Sequence, residues 1–343
     1  MADTLAVSQR SNRNRRSCRY RWKWVPSSAA TLEATETKIL RRVNTDYEGR
    51  FVSLGESLGR LWTVTFNPTN SEKTPFVFVH GFGAGVALWA KNIAPLCQQR
   101  PFHAFDLLGF GRSSRLKFPR DDAAVEERYI RSIERWRVEM KLDKMILVGH
   151  SFGGYLVTSY ALKYPDRVKH LIPVDPWGFP DAKLPILSRA IGTVFTGRNG
   201  AVLSILRVAG PFGLDIMNKT RRDLREKYSD LFDDNTITNY IYHCNVQYPS
   251  GEKAFSTLSE SLGYAKRPMI NRIEEMRKDV PITFIYGRDT YSIIDPSVGE
   301  KIQEMRHDAQ VEVFIIDNAS HQVYADQPTK FNNVMLQICK DIQ

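Results

Sequence analysis

The sequence predicts an α/β protein built on an open, mostly parallel sheet with helices on both faces, interrupted by an inserted helical cap. Three observations carry this. Short apolar runs alternate with helical patterns from about residue 50 to 175; the alternation lapses until about 280; it then resumes to the end of the chain. A chain of 343 residues is long enough for one large core plus an insertion.

In order, Leu61–Phe66 and Phe76–Val79 read as strands, the second a continuous apolar run of the kind buried on both faces. Phe102–Asp106 is a short strand ending in the glycine-rich turn Asp106-Leu-Leu-Gly-Phe-Gly-Arg-Ser-Ser114. Ile130, Ile133, Trp136, Val138 and Met140, set among charges, predict an amphipathic helix over 126–140. Met145–Val148 is a buried strand, followed by Gly149-His-Ser-Phe-Gly-Gly154, a helix over 155–163 and a strand over 170–174. From Asp175 to about Asp279 the pattern is helical, with no clear strand. Strands resume at Pro281–Tyr286 and Val311–Ile316, and a helix over 331–342 closes the chain. The expected organisation is a basic N-terminal segment (1–50), a core formed by 51–175 and 280–343, and a cap (176–279).

Two uncharged windows, Thr74–Ala90 and Met145–Leu162, are long enough to invite a membrane-spanning reading. Both break at glycines after a short strand-like run, so no transmembrane helix is expected. Cys18, Cys97, Cys244 and Cys339 are scattered, which predicts neither a disulfide framework nor a zinc site and fits a reducing compartment. No metal or cofactor is expected.

The net charge of +10 is unevenly spread. Residues 1–30 hold Arg10, Arg13, Arg15, Arg16, Arg19, Arg21 and Lys23 against Asp3 alone, so six of the ten net charges lie there. Trp22 and Trp24 sit among those cations, a composition suited to an anionic bilayer interface. A solvated tail and a mitochondrial presequence are the competing readings. Nucleic acid is not an expected partner, because no RNA-binding signature follows.

The chemistry gathers at three places. Gly149-His-Ser151-Phe-Gly153 matches G-x-S-x-G between a strand and a helix, where a nucleophilic serine occupies a tight turn and the glycines give the backbone room. His80-Gly-Phe82-Gly83 follows a strand, as does the loop that supplies one oxyanion N–H; the donors are assigned to the backbone of Phe82 and Phe152. His321 lies on the loop after the last strand, where a general base reaches the serine. His103 falls within a strand, and His170, His243 and His307 have no motif around them. For the acid, Asp289 and Asp295 both lie after the penultimate strand and both satisfy the order Ser, Asp, His. Asp289 is nearer the strand end, while Asp295 abuts the helix-starting Pro296; the one not used is expected to cap a helix or sit free in the loop. Together these parts imply nucleophilic acyl transfer through Ser151. An aspartate-nucleophile epoxide hydrolase or dehalogenase would need Asp at position 151.

These motifs, with Lys163-Tyr-Pro-Asp-Arg-Val168, Asp175-Pro-Trp-Gly-Phe-Pro180 and His321-Gln-Val-Tyr-Ala-Asp-Gln-Pro328, resemble the lipid-active type four and five α/β-hydrolase-domain proteins from about Trp22 onward. That group holds the N-acylphosphatidylethanolamine lipase, a lipid-droplet lipase coactivator and, more distantly, a cardiolipin deacylase. The resemblance implies an α/β-hydrolase fold and a serine acylhydrolase or acyltransferase acting on phospholipids or lysophospholipids. Substrates implied by the relatives are N-acyl-phosphatidylethanolamine, phosphatidylglycerol, cardiolipin and lysophosphatidate. It also implies peripheral attachment to lipid droplets or membranes, or a mitochondrial location, with a lipase or droplet coat protein as a further partner. The alternative it carries is a coactivator of a triacylglycerol lipase with a dispensable triad, although the vertebrate coactivator lacks the serine that this chain keeps at Ser151. A soluble hydrolase of small esters is a third reading. In this family the H-x-x-x-x-D spacing of His321 and Asp326 has been read as an acyltransferase motif; the residues themselves suggest that Asp326 stabilises the loop or a helix start. The apolar stretch 184–217, broken by Arg189, Arg198 and Arg207, suits an acyl tunnel, a membrane interface with its arginines near phosphates, or ordinary core packing.

Overall fold

Eight strands form one sheet in the order β1-β2-β4-β3-β5-β6-β7-β8. The computed structural model describes residues 24–69, 72–181, 201–260, 263–291 and 294–343, without the side chains of 201 and 202. The basic residues 10–23 and the stretch 184–200 therefore lie outside the described residues. The strands are β1 (Tyr47–Ser53), β2 (Arg60–Phe66), β3 (Phe76–Val79), β4 (Phe102–Phe105), β5 (Met145–His150), β6 (Val168–Val174), β7 (Ile282–Gly287) and β8 (Val311–Ile316). β1 and β2 pair antiparallel, as do β2 and β4, and every later pairing is parallel. The central strands β3 and β5 are buried along their whole length, as their unbroken apolar runs require.

The described helices are α1 (Ala29–Leu40), α2 (Ala90–Cys97), α3 (Asp122–Glu139), α4 (Phe152–Lys163), α5 (Ala201–Val208), α6 (Gly213–Thr220), α7 (Arg222–Lys227), α8 (Thr236–Asn245), α9 (Ser250–Leu258), α10 (Pro296–Met305), α11 (Val323–Asp326) and α12 (Pro328–Ile338). Local chemistry starts several of them: Ser28 Oγ accepts the Thr31 N–H at α1, and Asp121 accepts the Ala124 N–H at α3. Two apolar clusters, one containing Phe76, Phe78 and Val148 and the other Val77, Val79 and Leu147, arise because alternate residues of β3 and β5 point to opposite faces of the sheet.

Two features depart from the sequence expectation. β1 was not expected; it is an edge strand in which Val52 alone is buried, so it carries almost no hydrophobic signal. Helix α1 is docked on the core: Leu32, Ile39 and Leu40 are buried, and Glu36 accepts from the indole of Trp62 at 2.8 Å and from Arg112 at 2.9 Å. Burial pushes the Glu36 carboxyl up to about 8. Helices α5–α9 lie between β6 and β7 in the chain, and three of them touch loops at the C-terminal edge of the sheet: Lys227 of α7 donates to Ser320, Asn245 of α8 donates to Gly83 O, and Phe255 of α9 packs on Phe82. No helix among the described residues is long and apolar enough to cross a membrane.

Candidate active site

Every candidate group stands at the carboxyl end of a parallel strand, the edge at which open α/β sheets carry their sites. Ser151 follows β5 and adopts φ 53°, ψ −118°, a conformation a non-glycine residue holds only where its surroundings dictate it. Its N–H donates to Val174 O at 3.0 Å, and its carbonyl accepts from Trp177 at 3.0 Å and Tyr155 at 3.2 Å. The G-x-S-x-G spacing has a steric cause. A Cβ at Gly153 would lie 2.4 Å from Val79 O, and one at Gly149 would lie 2.5 Å from Gly153 O. Side chains at either position would push the turn off the sheet. Ser151 Oγ makes no hydrogen bond among the described residues, and it sits directly before the N-terminus of α4, where the helix dipole favours developing negative charge.

The expected oxyanion loop follows β3. His80 is fully buried, its Nε2 accepts the Leu107 N–H at 3.0 Å, and its Nδ1–H therefore donates to Gly81 O at 2.8 Å. Burial holds this imidazole below its ordinary value, so it stays neutral and fixes the Gly81 carbonyl. Asp106 accepts the Val86 N–H at 2.9 Å from the far side of the loop, while Asn245, the last residue of α8, donates to Gly83 O at 2.6 Å. The N–H groups of Phe82 and Phe152 donate to no acceptor among the described residues, which leaves both available to an oxyanion.

His321 follows β8. Its Nδ1 lies 2.6 Å from Oδ2 of Asp175, a residue that directly follows β6 at φ 44°. Asp175 is fully buried and also receives the Gly287 N–H at 3.1 Å and the Thr290 hydroxyl. Burial pushes its carboxyl well above the usual carboxylate range, and those two hydrogen bonds pull it back. Burial, then the nearby Lys227 and Arg221 cations, holds the His321 imidazole down to about 3. The ring is thus neutral in the resting protein, with Nδ1–H directed at Asp175 and Nε2 unprotonated.

Neither aspartate expected from the sequence pairs with His321. Asp295 accepts the Ser297 N–H at 2.9 Å as the N-cap of α10, and Asp289 is exposed, its own N–H donating to Ala319 O at 2.9 Å. The physical reason is that the loop after β7 reaches Asp175 through Gly287 and Thr290, supporting a carboxylate that comes from the neighbouring strand. Asp175 stood in the sequence as an acid immediately after an apolar strand and before a proline, and it too satisfies the order Ser, Asp, His.

Two further side chains hold the histidine loop. His150 Nε2–H donates to the His321 carbonyl at 2.8 Å, linking the serine's strand to the histidine's loop. Asp326 accepts the Ser320 N–H at 2.8 Å and the Ser320 hydroxyl at 2.7 Å, and Lys227 of α7 sits 2.9 Å from its other oxygen. In the described structure Asp326 therefore steadies the backbone next to His321 and has its second partner on α7. No group of His, Cys, Asp or Glu among the described residues has the arrangement of a metal site.

The α/β hydrolase fold family matches residues 74–328. The chain is 49% identical over 324 residues to a (lyso)-N-acylphosphatidylethanolamine lipase of Homo sapiens, covering 92% of this chain and 93% of that protein. It is 46% identical to the 1-acylglycerol-3-phosphate O-acyltransferase ABHD5 of Homo sapiens, over 92% of this chain and 91% of that one. Among solved structures, naproxen esterase from Bacillus subtilis superposes with a TM-score of 0.61 at 16% identity, covering 90% of this chain and 97% of that one, a likeness of fold alone.

Proposed function

The chain belongs to the α/β-hydrolase fold family, in the subfamily of the (lyso)-N-acylphosphatidylethanolamine lipases and the 1-acylglycerol-3-phosphate O-acyltransferases, and from that premise we propose that it is a serine acylhydrolase of membrane phospholipids or lysophospholipids. The observation that carries the reading is the hydrogen bond from His321 Nδ1–H to Asp175, set at the same sheet edge as the strained Ser151 turn.

In the proposed reaction, His321 Nε2 takes the Ser151 proton as Oγ attacks the acyl carbonyl carbon. Asp175 holds the imidazole tautomer and stabilises the imidazolium that forms. The carbonyl's electron pair moves to its oxygen, which accepts from the Phe82 and Phe152 N–H groups; each such donor typically contributes about 3 kcal/mol to the transition state. Collapse of the tetrahedral species expels the leaving alcohol or amine, which takes the proton from His321, and leaves the acyl group on Ser151. Water, activated by the same histidine, releases a fatty acid. A lysophospholipid hydroxyl in place of water gives acyl transfer, a variant supported by the acyltransferase relatives. The basic, tryptophan-bearing N-terminus supports work at an anionic membrane or droplet surface.

A fluorophosphonate probe tests the reading. Ser151 is expected to be labelled in the wild-type protein and the signal lost in Ser151→Ala, together with hydrolysis of vesicle-borne lysophospholipid. Absence of labelling in folded wild-type protein would exclude the mechanism. A Ser151→Ala chain that kept its full effect on cellular lipids would point to the scaffold alternative.

A further inference from the structure

Helix α5 is amphipathic and firmly held on one side. Leu206 is buried in the core cluster, the Arg207 guanidinium donates to Glu252 at 2.7 Å, and it also donates to the Asn245 carbonyl at 2.8 Å. Its opposite side is bare: Ile205 is 56% exposed, Val208 74%, and Phe212, one turn beyond, 69%. Large apolar side chains at that exposure on a rigidly anchored helix mark a surface that meets something else.

The N-terminal segment meets the protein at this corner. The indole N–H of Trp24 donates to the carbonyls of Arg207 and Val208, at 3.1 and 3.2 Å, capping two of the acceptors that the end of α5 leaves open. Its ring lies against Gly210, which stands at φ 55° and where a Cβ would be 2.5 Å from the indole. Gly210 is thus required twice, by its backbone angle and by the ring. Trp24 remains 54% exposed, so it joins the apolar face formed by Ile205, Val208 and Phe212. Lys23 is the residue immediately before it, and Arg10, Arg13, Arg15, Arg16, Arg19 and Arg21 precede that.

We propose that the corner formed by α5, Phe212 and Trp24 is the plane on which the protein seats itself on an anionic lipid bilayer, its apolar side chains entering at headgroup depth beside the basic segment. Charge selects this occupant. A second copy docking on the same face by a two-fold axis would bring two strongly basic segments together, whereas anionic lipid complements them. The mixture of an aromatic ring, aliphatic side chains and adjacent cations is that of an interfacial anchor. The proposal rests on the membrane-surface part of the functional reading and adds to it the part of the fold that makes contact. Arg207 ties α5 to Asn245, whose amide holds Gly83 beside the candidate site, so the contact would couple that site to the lipid surface.

The test is vesicle sedimentation of the full-length protein, with phosphatidylcholine vesicles and with phosphatidylcholine–phosphatidylserine vesicles. Wild type is expected to bind the second and to release as salt rises. A Val208→Asp/Phe212→Asp double variant is expected to bind about tenfold to a hundredfold more weakly, while fluorophosphonate labelling and cleavage of a dissolved short-chain ester stay unchanged. Phe212→Ser, a milder change, decides the matter if the double variant loses its circular dichroism spectrum. Wild-type binding retained by the folded variant would overturn the proposal, because the basic segment would then suffice alone. A wild-type dimer that the variant dissociates would overturn it as well, by naming a second copy as occupant. Failure of the hydrolase reading would be visible separately, as a wild-type protein that the probe does not label.

Discussion

At the scale of single residues, the distinction that matters is between a carboxylate that touches His321 and one that merely lies in the right loop. Asp175 Oδ2 is 2.6 Å from Nδ1, whereas Asp295 is occupied as the N-cap of α10. Asp175→Asn keeps the shape but presents an amide that can donate to Nδ1, favouring the wrong tautomer; kcat on a short ester is expected to fall about 10³- to 10⁴-fold. Asp295→Asn keeps a good helix cap, so kcat should stay within about threefold of wild type. Steady-state kinetics of the two variants separate the assignments, and the opposite ranking would return the acid to the β7 loop. The sequence made Ser151 and His321 legible because each sits in a pattern tied to a strand end. It left the acid open because loop carboxylates carry no periodicity, and which strand's acid reaches the imidazole depends on the sheet order, a long-range property.

At the scale of elements, the candidate oxyanion loop is braced from outside its own strand. Asn245 ends α8, and its amide donates to both Gly83 O at 2.6 Å and Ile241 O at 2.8 Å, so α8 sets the position of the loop that carries Phe82. Asn245→Ala removes the clamp without touching a reacting group. Displacing an oxyanion donor by a fraction of an ångström is expected to lower kcat about tenfold to a hundredfold with KM little changed. A fall in thermal stability with kcat intact would mean that His80 and Asp106 hold the loop without help from α8. The sequence showed the stretch between β6 and β7 as a lapse in the β-α rhythm, but not this contact. Helix α8 is buried almost all round, so its sequence has no apolar stripe to show which residue meets which loop. In the same way β1 escaped notice, since an edge strand with one buried side chain has no alternation to read.

At the scale of the whole molecule, the sheet's two-sided burial encloses histidines that have nothing to do with the candidate site. His170 on β6 shares a hydrogen bond with the Thr283 hydroxyl on β7 at 2.8 Å, and His103 on β4 shares one with Thr65 on β2 at 2.9 Å. Burial lowers both to about 4, so each is neutral in the folded chain and gains a proton on unfolding once the pH falls below the ordinary histidine value of about 6.5. The unfolded state then binds more protons than the folded one, and stability falls with acidification across the window from about 6.5 to about 4, by about 1.4 kcal/mol per pH unit for each histidine. His170→Gln offers Thr283 a polar partner that does not titrate. Chemical denaturation of wild type and variant between pH 7 and pH 4.5 isolates that one group, because every other titrating residue is common to both. The difference in unfolding free energy between the two proteins is expected to be constant above about pH 6.5 and then to shift in favour of His170→Gln by roughly 1.4 kcal/mol per unit of acidification. Parallel curves would mean that His170 accommodates its charge in place, with Thr283 turning its oxygen to accept from the imidazolium.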